Sequence, residues 1–197
     1  MSRYNGRPIV WAFEISFLVT LAASIAIDGP YPAATSLVGA GIMLSPLALH
    51  RAGILDLPWP VTAAAGTVML LHTLGILLQL YDRLWWWDTM THLMATIIIA
   101  MVTSLALLSF DVLAPEVRMP LRAVPAATLA AVVLMGVIWE VLEFAFDGAL
   151  GLNMQYSLDD TATDLTFDIL GGGLVSVVMV PLLGTMGRAS RRMLHQG

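Results

Sequence analysis

Apolar residues gather into six windows along the chain, at roughly residues 8–27, 31–50, 58–81, 84–110, 122–147 and 162–185. About 20 apolar residues in a helix span the hydrocarbon core of a bilayer, so each window predicts one membrane-crossing helix. Most breaks carry proline, glycine or charge: Asp28-Gly29-Pro30, Arg51 to Pro58, Asp82-Arg83, Asp111 to Arg122, and the longer Asp147 to Thr161. The first window follows Arg3 and Arg7 as a secretory signal would. Pro8 to Ile27 is longer than a signal core, however, and no small-x-small cleavage site closes it, so a retained first helix is expected. No internal repeat or low-complexity tract is visible. The expected architecture is an all-α polytopic bundle of about six transmembrane helices, a single integral membrane domain over residues 1–197.

Composition agrees with this pattern. Hydrophobic residues make up 58% and charged residues 12% of the chain, and the mean hydropathy is +0.84, outside the balance of soluble domains. The apolar windows occupy most of the 197 residues, which leaves no room for a separate soluble domain. The absence of cysteine excludes disulfides, iron–sulfur clusters and thiolate chemistry. The chain also lacks lysine, which excludes Schiff-base chemistry. The lipid bilayer is the expected surrounding, and no nucleic-acid partner is expected.

Charge sets the orientation, because arginines near helix ends stay on the cytoplasmic side. With six spans and the N-terminus inside, the inner segments hold Arg3, Arg7, Arg51, Arg118, Arg122, Arg188, Arg191 and Arg192, and the outer ones only Arg83. Both termini are therefore expected in the cytoplasm. The Trp85-Trp86-Trp87 run fits an aromatic belt at the outer interface.

Acidic residues are distributed the other way. Ten of the fourteen lie at or near the outer side: Asp28, Asp82, Asp88, Glu140, Glu143, Asp147, Asp159, Asp160, Asp164 and Asp168. Three polar pairs fall inside predicted helices and at one end of the bundle: Asp88/His92, Glu140/Glu143 and Asp164/Asp168. Spacings of three or four put both members of a pair on one helix face. Counted from the outer ends, Asp88, Glu143 and Asp164 lie about one turn in and His92, Glu140 and Asp168 about two, predicting two stacked layers. An ionised carboxylate at the helix centre costs at least about 2.5–3.5 kcal/mol, so these groups should face inward and need partners. Arg83 cannot neutralise five carboxylates; either several are protonated or a cation is bound. A divalent metal answers the charge problem most directly. Helical bundles build di-iron and di-manganese sites from inward Glu and Glu/His pairs at this spacing. The oxygen-rich set with one imidazole suits manganese or iron first and zinc next, with calcium or magnesium if His92 does not ligate directly.

Each residue also has a plainer reading. Asp164 would be the third residue of a capping box begun by Thr161, and Asp88 a first-turn acid favoured by the helix dipole. Glu140 and Glu143 have no such excuse, since an acid late in a helix opposes the dipole. His92 alone would be a hydrogen-bonded polar residue. His72, about 15 Å below the outer end, is a further ligand, a proton relay or an interhelical hydrogen-bonding group. Gln79 takes the last of these roles. Glu14 sits on the inner half of the first helix, away from the cluster, as an interfacial or paired acid. Gly171-Gly172-Gly173 permits close helix packing, and the loop with Asn153, Gln155, Asp159 and Asp160 is placed to cover the mouth of the site.

The motifs Trp87-Asp88-x-x-x-His92, Trp139-Glu140-x-x-Glu143-Phe144, Asn153-Met154-Gln155 and Asp160-Thr161-x-x-Asp164-Leu165-x-x-Asp168-x-x-Gly171-Gly172 together resemble the YjdF-like, or DUF2238, family of bacterial and archaeal inner-membrane proteins. The resemblance covers the last three helices, about half the chain. It implies that the acids, the histidine and the Asn-Met-Gln stretch belong to one shared site in a multi-pass cytoplasmic membrane protein, and implies nothing about substrate.

Three functions fit these residues. The first is a metal-dependent membrane enzyme acting on a lipid or other apolar substrate at the outer leaflet, with Glu143 as general base. Phosphoryl substrates are disfavoured, because the outer face offers only Arg83 to hold phosphate. The second is a cation or proton transporter with an acidic funnel, against which the inner half offers few polar groups. The third is an accessory structural subunit of a larger membrane complex. A haem- or pigment-binding variant through His72 and His92 is disfavoured because carboxylates outnumber imidazoles.

Overall fold

The computed structural model describes residues 4–27, 29–113 and 120–179, and every regular element in them is helical. The helices are α1 (Arg7–Ala26), α2 (Pro30–Arg51), α3 (Trp59–Leu77), α4 (Leu80–Arg83), α5 (Trp87–Leu113), α6 (Val124–Leu150) and α7 (Leu158–Leu174), followed by a π-helical turn at Val175–Met179. All but α4 are long and apolar enough to cross a membrane, which gives the six spans that the apolar windows predict. The orientation argument leans on Arg3, Arg118, Arg188, Arg191 and Arg192, which lie outside the described residues, as do Asp28 and the end of the sixth window.

Local chemistry explains the boundaries. Helices α1, α2, α3 and α6 each carry proline at a first helical position, where a missing N–H costs nothing and φ is already helical. Helix α6 stops at Gly151, whose φ of 66° is the left-handed conformation that closes a helix cheaply on glycine.

Several boundaries differ from the sequence expectation by three residues or more. Helix α3 ends at Leu77 and not near residue 81, because Gln79 takes a left-handed φ of 57°. The short α4 follows, and α5 begins at Trp87. Gln79 is therefore a hinge residue, and its Oε1 accepts from Arg83 Nη2 at 3.2 Å. Helix α6 continues to Leu150, which puts Glu143 two turns inside its end. Helix α7 starts at Leu158, one turn earlier than expected, with Ser157 as its N-cap. Asp159 and Asp160 thus belong to the first turn of α7 and not to the loop.

The chain divides into two compact units, the first up to Ile98 and the second from Ile99. In the first, α1, α2 and α3 pack on one another around Tyr4, Val10, Phe17 and Met43. Phe17 lies on Gly39 and Phe13 on Gly66, at positions where a Cβ would collide with the ring. Small residues that let helices approach closely supply packing where lipid removes the hydrophobic driving force. Tyr4 ties the start of the chain to α3 through a 2.6 Å hydrogen bond between its hydroxyl and Thr62 Oγ1. In the second unit, α7 and the π turn pack against α6, and the 151–157 connection makes α6 and α7 an antiparallel hairpin.

Candidate metal centre

The first unit contributes the Asp88/His92 pair. These residues occupy the first and second turns of α5, with Asp88 Oδ1 3.6 Å from His92 Nε2, as spacing of four on one face requires. His92 is 8% exposed. Behind them runs a hydrogen-bonded chain that the sequence did not reveal. His72 Nδ1 and the Tyr81 hydroxyl are 2.6 Å apart, Tyr81 and the Thr91 hydroxyl 3.2 Å apart, and Thr91 Oγ1 donates to the Asp88 carbonyl at 2.8 Å. This joins α3, α4 and α5 and gives His72 an interhelical hydrogen bond, one of the roles expected of it. The tryptophan run divides: Trp85 is 91% exposed and Trp86 40%, as a belt requires, whereas Trp87 is buried, its indole nitrogen against Gly75.

The second unit contributes four acids. Glu140 and Glu143 lie on the buried face of α6, which also carries Thr128, Val132 and Gly136. Asp164 and Asp168 lie on the buried face of α7 with Gly171 and Gly172. The hairpin register follows from two close approaches: a Cβ on Gly136 would collide with Asp168 Oδ2, and one on Gly172 would stand 2.8 Å from Val132 Cγ1. Each step of four along α7 matches a step of four back along α6, so Glu140 stands level with Asp164, Asp168 one turn deeper against Gly136, and Glu143 further out. The layers are thus displaced by one turn from those predicted by counting inward from expected helix ends.

Burial and hydrogen bonding separate these acids from ordinary surface groups. Asp164 and Asp168 are each 2% exposed, Glu140 6% and Glu143 7%. Neither carboxylate oxygen of Glu140 has a hydrogen-bond partner among the described residues. The capping role considered for Asp164 is excluded, because the cap lies one turn earlier: Ser157 Oγ accepts from the Asp160 backbone N–H at 3.1 Å. Asp88, half-buried, and the buried His92 and Asp164 have the residue type and environment of metal ligands.

The 151–157 loop is fastened at its base. Asp147 accepts from the Met154 and Gln155 backbone N–H groups at 2.8 and 2.9 Å, and Gln155 Nε2 donates to Thr161 Oγ1 at 2.8 Å. Asp147 and Gln155 therefore hold the loop to the hairpin. Glu14, on α1, is also buried, with Oε1 lacking a hydrogen-bond partner among the described residues.

Comparison with known proteins places the chain in a family. The family described as predicted membrane protein (DUF2238) matches residues 9–184, which includes all six candidate ligands. A protein of Thermotoga maritima, described as an uncharacterized protein, is 33% identical over 111 residues, 54% of each chain. The chain thus spans about half the length of this curated relative. No solved structure matches the chain.

Proposed function

The chain belongs to the DUF2238 family of membrane proteins, and for this member we propose a divalent-metal centre at the non-cytoplasmic face of the inner membrane, serving an enzyme that acts on a lipid or other apolar substrate. The observation that carries the proposal is Glu140: a carboxylate 6% exposed, inside a membrane-spanning helix, with both oxygens lacking a hydrogen-bond partner among the described residues. A buried ionised carboxylate needs a counter-charge, and among the described residues no cation is recorded in an ion pair with Glu140. Glu140, Asp164 and Asp168 would hold the metal, with Asp88 and His92, whose helical spacing and place early in their span are those of ligands, as the further candidates. The oxygen-rich donor set with one imidazole fits manganese or iron, then zinc.

A bound divalent cation supplies Lewis-acid activation of water. Glu143, the outermost of the four acids on the α6–α7 hairpin, would be placed to serve as general base toward that water. Elemental analysis of detergent-purified protein tests the centre. One or two equivalents of manganese, iron or zinc, lost in folded Asp88→Ala and Glu140→Ala variants, are expected. No metal after mild purification, and none on adding it back, would sink the metal reading.

A second reading, proton transport, is favoured by a polar layer deeper in the second unit. Most buried hydroxyls with recorded bonds are satisfied by a carbonyl three or four residues back in their own helix, as in Ser24 to Thr20, Thr73 to Met69 and Thr96 to His92. Ser104 and Thr128 instead bond each other at 3.0 Å, and Ser176 Oγ, in the π turn, is buried without a partner among the described residues. The hairpin register puts Ser176 level with Thr128. These hydroxyls form a second polar level below Asp168, separated from it by the apolar Val132/Gly172 layer. Proton flux into liposomes, followed with a pH-sensitive dye and abolished by Thr128→Val and Ser176→Ala, is the expected signature; an imposed pH gradient that dissipates no faster than in empty liposomes removes this reading.

A further inference from the structure

Helices α6 and α7 approach closely at two points that exchange roles. At one, glycine on α7 (Gly172) receives Val132 of α6; at the other, glycine on α6 (Gly136) receives Asp168 of α7. The first is apolar packing of the kind small residues provide in membranes. The second seats a carboxylate that is 2% exposed against the α6 backbone, where a Cβ at position 136 would collide with its Oδ2. Gly136 lies four residues before Glu140 and on the same buried face, so the Asp168 carboxylate is held one turn below the level of Glu140. A rigid seat that fixes the position of one acid relative to another is what a metal centre requires of the residues behind its ligands.

We propose that Gly136 is a positioning residue for the metal centre: by lacking a side chain it lets Asp168 seat against α6, and this sets the separation of the Asp168 and Glu140 carboxylates. The inference rests on the metal reading above. It predicts that a methyl group at position 136 is felt as a change in metal binding beyond its effect on stability. Placed at position 172, the same methyl group meets Val132 on the same seam and touches no candidate ligand.

The test uses the full chain in detergent, with Mn(II) alone as the probe. Wild type, Gly136→Ala and Gly172→Ala are compared by equilibrium dialysis, by the EPR spectrum of bound Mn(II) and by thermal unfolding. Gly136→Ala is expected to weaken Mn(II) binding about 10- to 100-fold and to change the spectrum, whereas Gly172→Ala keeps wild-type affinity while losing thermal stability. Wild-type affinity in Gly136→Ala, or equal weakening in both variants, overturns the proposal. An Asp168→Ala background keeps it testable if Gly136→Ala fails to fold, because the added methyl then meets no carboxylate. In that background, where a ligand is already gone, thermal unfolding is the readout: Gly136→Ala should cost little further stability, and an additive loss would show that Gly136 acts independently of Asp168 and overturn the proposal. Failure of the wild type itself to bind Mn(II) would remove the metal reading and this inference together, whereas binding that ignores position 136 removes only the inference.

Discussion

Glu140 concentrates the physical problem of this protein in one side chain. Its two oxygens are buried and have no hydrogen-bond partner among the described residues, and it sits well inside α6, where neither helix end offers a partner. On the proposed reading, the group would destabilise the fold without a cation and anchor it with one. Glu140→Gln keeps the shape and removes the charge, so without metal the variant should unfold at the same temperature as wild type or higher. Manganese at about 100 times its Kd should stabilise wild type by about 2.7 kcal/mol and the variant far less. Thermal unfolding followed by tryptophan fluorescence, with and without Mn(II), checks both halves. Equal stabilisation of the two proteins would exclude Glu140 as a ligand.

At the scale of elements, the helices were legible because hydrophobic length is a strong signal, and their ends were less so because end signals repeat. Thr161-x-x-Asp164 and Ser157-x-x-Asp160 have the same capping form one turn apart, and the chain uses the earlier one. That choice changes the meaning of Asp164, which moves from a cap candidate to the second turn of α7. Ser157→Ala should cost about 1 kcal/mol and appear as faster amide exchange confined to the first turn of α7. Protection lost throughout α7 would mean that the cap holds more than its own turn. The hinge at Gln79 was illegible for the opposite reason: a left-handed residue is ordinarily glycine, and nothing about this glutamine marks it. The spacing of the six candidate ligands could be read from sequence, whereas the register of α6 on α7 could not, since it is set by Gly136 and Gly172 and by the side chains that fill them. The signal for Gly136 was present in its place four residues before Glu140. The Tyr81–Thr91 connection had no sequence signal, because it depends on the turn that follows Gln79.

For the whole molecule, the arginine distribution predicts an orientation that can be tested. The chain has no cysteine, so single cysteines report their own position without background. Ala52, exposed in the α2–α3 loop, and Asn153, exposed in the α6–α7 loop, are suitable sites. Asn153→Cys should react with an impermeant maleimide in intact cells, and Ala52→Cys only after the membrane is opened. The reverse pattern would put the acidic ends of the spans in the cytoplasm and a cytosolic metal pool within reach.

The α6–α7 hairpin has a consequence for how the protein is made. Its seven-residue connection, 151–157, brings four acids together from a segment of 29 residues, Glu140 to Asp168. They are therefore neighbours as soon as the last two spans enter the membrane. Each acid adds to the cost of insertion, and together they also repel. On the proposed metal reading, a cation captured by the hairpin during synthesis would offset both costs, and the metal supply of the cell would then act on the yield of inserted protein before it acts on any activity.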